Sequence, residues 1–380
     1  MTEYLKHYRM ELVAVGPVHI GSGKKLLKKE YIFRWRKGTV LIPDETALYR
    51  GIRKYQLEDE FTDFLMNGNP YDDLGGWLDR QKVPRTEYER WVAYRLEGGD
   101  LLAEKGRGVD VQSCMKDSYG KPFVPGSSIK GMLRTVLLAG ELQSAQGKYR
   151  SSASAVIRNA GANGVRRDRY LKNEVSDIEN AAFHTLHRKD ERGKEIQLKN
   201  AVNDCLSGLV VSDSDPIEPS NLILCQKMDV TVDGEVNKLN VLRESLRPGT
   251  VIRFSITIDP KICQYTINDI MAAVDAFNDL YYDLYLKRYP RTDRPSSGTV
   301  YLGGGTGFFT KTVLYPLLGY SDGLETAIKV FDHTLPRNVG KQHKHYLDKR
   351  QGVSPHMLKC TEYRGKRYQM GMCNLKIVKI

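Results

Sequence analysis

The chain has 380 residues, 41% of them apolar, enough for two domains or one large elaborated one with a real core. Lys and Arg number 58 against 46 Asp and Glu, a net charge of +12, which points to an anionic partner, nucleic acid or membrane surface. No apolar run approaches the ~18 residues of a membrane-spanning helix, the start "MTEYLKHYRMELV" has no signal-peptide pattern, and six cysteines without a CxxC pair exclude a disulfide framework and read as reduced thiols of a cytoplasmic protein.

In chain order, Tyr8 to Val15 reads as a strand punctuated by Gly16-Pro17. After Pro43, a region of helical character with acids, aromatics and Gly breaks runs to about residue 100, predicting a helical insertion over about 44–118. A helix over Ser127–Glu141 follows, with Ile129, Leu133, Val136 and Leu137 on one face. Residues 144–200 are polar, Gly-containing and basic, and predict a flexible arm. From 207 the pattern turns to strands: "GLVVSD", "NLILCQKMDVTV" and "TVIRFSITID". Thr266 and Asp269 mark the capping-box start of a long helix, with Ile270, Val274, Phe277, Tyr281 and Leu284 on one face. A Gly-rich loop at 303–307, a basic stretch and a final β-like run close the chain. Strands and helices do not alternate strictly, so the prediction is an α+β fold with antiparallel sheets and helices packed on one face. The halves are placed at 1–206 and 207–380.

Charge is unevenly distributed. Residues 24–37 carry seven Lys or Arg and one acid, residues 341–370 eight and two, so these two runs hold the whole net charge. They read either as two solvated faces or as one shared surface, if the ends of the chain meet.

Several motifs bear on chemistry. "GPVHIGSGKK" has the Gly16-x4-Gly21 spacing of a phosphate loop, but Ser22 stands where the Walker lysine belongs, so an NTPase is excluded. His19, Gly21, Ser22, Lys24 and Lys25 remain candidates for phosphate contact through backbone N–H groups and charge; the alternative is a plain turn. "LGGGTGFF" is not a dinucleotide fingerprint, because Phe308 replaces its last glycine; Gly303, Gly304 and Gly305 suit a loop against which a backbone or an RNA strand packs, or a hinge. In "KQHKHYLDKR", Lys341, His343 and His345 read as a phosphate-binding basic stretch or, alternatively, as a general acid–base pair for RNA cleavage. Cys360 and Cys373 lack metal-site spacing, so no metal or cofactor is expected there. Asp213 and Asp215 in "SDSDP" suit turn chemistry or a divalent ion. In "VPGSSIKGMLR", Lys130 and Arg134 share a helix face at a spacing that costs about 0.2–0.5 kcal/mol. Gly126, the capping candidates Ser127 and Ser128, Lys130 and Arg134 therefore read as a helix start built to hold a phosphate backbone.

Together, "GPVHIGSG", "VPGSSIKGMLR", "SDSDPI…LILCQK" and "LGGGTGF" resemble the RAMP proteins of CRISPR effector complexes, and among them the family of the fifth subunit of type III-A Csm complexes. The resemblance runs from Tyr8 to the C-terminus. It implies ferredoxin-like, RRM-related folds, single-stranded crRNA binding, a cap at the crRNA 3′ end and a role in its 3′-end maturation in antiviral defence. It also implies the other Csm subunits as partners, especially backbone and small subunits, with target RNA met indirectly and host nucleases recruited for trimming, and no membrane role. The catalytic Asp of related backbone subunits has no match here, so the chain is expected to bind RNA without cutting it; an endoribonuclease using His343 or His345 is the alternative.

Overall fold

The structure, a computed structural model, describes residues 4–34, 38–67, 69, 72–98, 110–161, 169–336, 338–339 and 343–378. The chain begins with strands β1 (Lys6–Ala14), β2 (Gly21–Leu26), β3 (Ile32–Arg34) and β4 (Thr39–Pro43), then helices α1 (Glu45–Lys54), α2 (Glu58–Met66), α3 (Leu74–Arg80) and α4 (Arg85–Tyr88). Strands β5 (Val92–Glu97) and β6 (Val111–Cys114) lead to helices α5 (Gly126–Ser144), α6 (Arg150–Asn159) and α7 (Lys172–Phe183). Strands β7 (Leu209–Val211), β8 (Leu222–Thr231), β9 (Val236–Leu246) and β10 (Val251–Ile258) precede helix α8 (Ile267–Leu284). Strand β11 (Thr299–Tyr301), helix α9 (Leu314–Thr334), the short helix α10 (Asp348–Gln351) and strands β12 (Met357–Tyr363), β13 (Lys366–Gln369) and β14 (Met372–Val378) complete the order.

This is a mixed α+β fold with two sheets. The first has the order β11-β14-β1-β10-β7 and is antiparallel throughout. Strand β1 alternates as a half-buried strand should, with Met10, Leu12 and Ala14 inward. Helices α5 and α8 pack against each other beside this sheet, and β1-α5-β7-β10-α8-β14 traces a β-α-β-β-α-β path. Helix α8 starts at the expected capping box, Thr266 with Asp269, and buries Ile270, Val274, Phe277 and Tyr281.

The second sheet has the order β2-β6-β9-β8-β5-β4-β3, with β12 on β8 and β13 on β12. Both sheets mix early and late strands: β1 lies between β10 and β14, and β5 beside β8. A division at 206/207 runs through both.

The insertion differs in extent from the expected one. Its helices end at Tyr88, and 92–97 and 111–114 are strands of the second sheet. It has its own small core around Ile52, Phe64, Trp77 and Trp91. The segment read as a flexible arm carries α6 and α7, whose Val156, Ile178, Ala182 and Phe183 join the main core. Apolar residues thinly spaced among polar ones hide such helices from a composition reading.

Candidate nucleic-acid interface

The Gly-rich loop and the first Gly-containing motif meet. The amide of Gly304 donates to the His19 carbonyl at 2.7 Å. Gly303 has φ +83°, and a Cβ there would stand 2.3 Å from the His19 carbonyl oxygen, so the position requires glycine both for conformation and for space. Beyond it, Gly305 faces Arg243 of β9, whose Nη1 lies 2.6 Å from where a Cβ would stand.

Under this loop sits a buried polar node. Glu244, fully buried, accepts from the Cys114 amide at 2.8 Å and Ser113 Oγ at 2.9 Å, and also from Tyr94 Oη and Lys116 Nζ. The buried His19 donates from Nδ1 to the Glu244 carbonyl at 2.6 Å; a carbonyl only accepts, so Nδ1 carries the hydrogen and Nε2 is left as the lone-pair nitrogen, facing Gly21. Burial, with Arg243 and Lys116 nearby, lowers the His19 pKa and keeps the ring neutral.

Around the loop lie cations. Lys25, Gln112 and Arg243 occupy one row across β2, β6 and β9 and so share a sheet face; Arg243 Nε donates to Gln112 Oε1 at 2.8 Å. Arg243 Nη1 is buried and has no hydrogen-bond acceptor among the described residues. Burial lowers the pKa of Arg243, Lys227 and Lys311; Lys359 and Arg243 depress Lys227 further, and Arg243 does the same to Lys311. Lys359, beside Gly307, is paired with Asp229 at 2.9 Å. His343, half-buried, is depressed by burial and then by Lys359 and His345. Of the sequence candidates, His19, Gly21, Lys25, Gly303, Gly304 and Gly305 thus gather about β9 and the loop, and His343 lies beside Lys359 and His345. Lys24 is exposed on β2. Ser22 Oγ donates to the Ser113 carbonyl at 3.1 Å, tying an irregular β2 to β6. Lys341 lies outside the described residues. Sequence reasoning missed Arg243, Lys227 and Lys311, which lie far apart in the chain and form no basic run; they gather only in the fold, from β8, β9 and the turn at Phe309–Lys311.

Two expectations are corrected. The start of α5 is satisfied by the chain's own anions. The Gly126 amide donates to Asp213 Oδ1 at 2.7 Å, Arg134 binds Asp204 at 2.7 Å and Glu179 at 3.2 Å, and Lys130 Nζ donates to the Leu206 carbonyl at 2.6 Å. A Cβ on Gly126 would stand 2.3 Å from the Val211 carbonyl, so a strand fills the space read as open to phosphate. Pro125, not Ser127 or Ser128, is the N-cap and offers no side-chain cap, so the distant Asp213 takes that part. Lys130 and Arg134 are ties between α5 and the segment after α7, and Asp213 is spent on the helix start. Gly131 by contrast faces open space within α5, so Gly131→Ala is expected to stabilise the protein by about 0.5–1 kcal/mol, read as a higher urea midpoint.

His345, read as an RNA contact or catalytic group, is buried. Its ring stacks on Phe331 at 4.3 Å, and its Nδ1 lies 3.0 Å from Asp348. It faces the interior and cannot reach a strand of RNA.

The model of the RAMP superfamily matches residues 11–316. The CRISPR system Cms protein Csm5 of Mycobacterium tuberculosis is 29% identical over 99% of both chains. A chain of a Csm–crRNA–target RNA ternary complex from a type III-A CRISPR-Cas system, 18% identical, superimposes with a TM-score of 0.66 over 98% of this chain and 100% of that one. T. onnurineus Csm5, 19% identical, gives 0.57 over 96% and 99%. With the family model matching strands of both sheets, from within β1 to the start of α9, the chain belongs to the RAMP superfamily.

Proposed function

We propose that this chain is a crRNA-binding subunit of a type III-A Csm complex and that the cleft along β9 and the Gly-rich loop holds the RNA backbone. The observation that carries this reading is Arg243. Its Nη1 is buried without an acceptor, and its charge depresses both Lys227 and Lys311 beside it. An unpaired buried N–H and clustered like charges both destabilise a folded chain; a bound phosphate oxygen relieves both. The likeness to a chain of a Csm–crRNA–target RNA complex supports crRNA as the bound RNA; binding at its 3′ region, capping of the guide and a part in its maturation are what the family resemblance implies for this chain. Backbone and small Csm subunits are the proposed protein partners. The role is proposed as binding rather than cleavage: of the two histidines in the catalytic alternative, His345 points inward, which leaves His343 without its partner in an acid–base pair.

The test is binding of labelled single-stranded crRNA to the purified protein as salt is raised. Each phosphate contact contributes a slope of about −0.7 for single strands. The double variant Lys227→Ala/Lys311→Ala is expected to bind more weakly and to flatten the slope by about 1.4, two contacts' worth. A slope equal to the parent's removes the cleft from the RNA path.

A further inference from the structure

Away from the loop and β9, three metal-ligand side chains converge. His345, Asp348 and His356 are 4%, 0% and 3% exposed, and each offers a ligand atom within 4.8 Å of the others. They come from three places: the turn before α10, the first residue of α10, and the residue preceding β12. His345 Nδ1 lies 3.0 Å from Asp348 Oδ2, and His356 Nδ1 is in direct contact with Asp348 Oδ1.

The carboxylate is the informative member. A fully buried Asp normally pairs with Arg or Lys, because an uncompensated charge in the interior is strongly unfavourable. Among the described residues, the only basic side chains within ion-pair distance of Asp348 are the two imidazoles. A divalent cation between the three groups neutralises the carboxylate and uses both Nδ1 lone pairs at once. Two imidazole nitrogens and one carboxylate oxygen are a donor set that suits zinc, with a fourth position left for a further ligand.

The surroundings hold these ligands in place. Phe331 stacks on His345. Tyr315 Oη donates to the Ser354 carbonyl at 2.6 Å, and Tyr289 Oη to the Pro355 carbonyl at 2.7 Å, fixing the backbone that leads into His356. Such outer contacts orient metal ligands in general.

We propose that His345, Asp348 and His356 form a site for a divalent transition ion of the zinc class. The ion fastens the segment after α9 to the start of β12. It thereby fixes His343, whose ring stacks on His345 at 5.7 Å, and Lys359, three residues beyond His356. The proposal stands whether or not the neighbouring cleft binds RNA.

The experiment uses the full chain, stripped with chelator, dialysed against Zn²⁺ and desalted, with retained zinc measured by mass spectrometry. About one zinc per chain is expected, with a higher Tm than the stripped protein. Asp348→Asn and His356→Gln are expected to lose both the zinc and the Tm gain. Should either variant fail to fold, Co²⁺ added to the parent chain decides: a visible absorption spectrum of four-coordinate Co²⁺ supports the site, and a six-coordinate spectrum overturns it. A parent chain that retains no zinc overturns the proposal and leaves the two imidazoles as hydrogen-bond partners of Asp348. Zinc retained undiminished by folded Asp348→Asn overturns it too, since the ion then binds elsewhere.

Discussion

Glu244→Ala is expected to lower the stability of the protein by about 3–5 kcal/mol, the cost of removing one member of a buried ion pair. The side chain is fully buried and accepts from four donors on three segments: Tyr94 in β5, Ser113 and Cys114 in β6, and Lys116 just after β6. Truncation strands all four, Lys116 with its charge, in a region already short of water. Glu244→Gln keeps the shape and one oxygen but loses the charge, and falls between the two. Denaturant unfolding reads the difference: a midpoint within error of the parent's for Glu244→Ala contradicts the node described here. Because the Glu244 carbonyl also holds His19, and the His19 carbonyl holds Gly304, RNA affinity is expected to fall in the same variant. That fall follows from misplacement of the loop, not from a lost contact.

Arg243→Met is expected to act in opposite directions on stability and on RNA affinity. The guanidinium is largely removed from water, keeps one side-chain hydrogen bond, to Gln112, and leaves Nη1 without an acceptor. Replacing a poorly compensated buried charge with an apolar side chain of similar volume is neutral or stabilising. A charged hydrogen bond to phosphate, on the other hand, is worth about 1.5–3 kcal/mol, so crRNA affinity is expected to fall about 10- to 150-fold. The loss should be nearly independent of RNA sequence, because phosphate contacts position a strand and do not read it. The decisive pair of measurements is the unfolding midpoint and the dissociation constant. If the variant unfolds more easily and binds RNA as the parent does, Arg243 is a structural residue and the cleft has lost its central argument.

Much of the architecture is legible in the sequence where a pattern is local. The helices α5 and α8 show their 3.6-residue periodicity, and the capping box at Thr266 and Asp269 is visible as three letters' spacing. Strands β7, β8 and β10 are rich in β-branched residues. Strand β9 is not legible, because Asn, Lys, Arg, Glu and Ser fill it; two of those polar residues, Arg243 and Glu244, build the cleft and its support. The start of α5 shows the opposite failure. Its like-charged pair is costly if only near neighbours count, but Glu179 and Asp204 lie 45 and 70 residues away in sequence and bind Arg134, and Lys130 donates to the distant Leu206 carbonyl. Likewise His343 and His345 look equivalent as letters two apart, while the turn before α10 sends one to the cleft and the other into the interior. The partners of His345, Asp348 and His356, are spaced too irregularly to suggest a shared purpose.

The position of β1 sets a clock on synthesis. Val13 pairs with Val251 and with Asn374, so the strand that leaves the ribosome near the start has no neighbour until more than two hundred further residues are made. At about 5–20 residues per second, that wait is of the order of tens of seconds. Until then β1 is an open edge on both sides, able to pair with other chains. Its exposed Lys6 and Arg9 oppose such pairing between nascent copies, since like charges along an unpaired edge discourage association. The same sheet therefore demands patience of the growing chain and carries, on the strand that waits longest, the charges that keep it apart from its siblings.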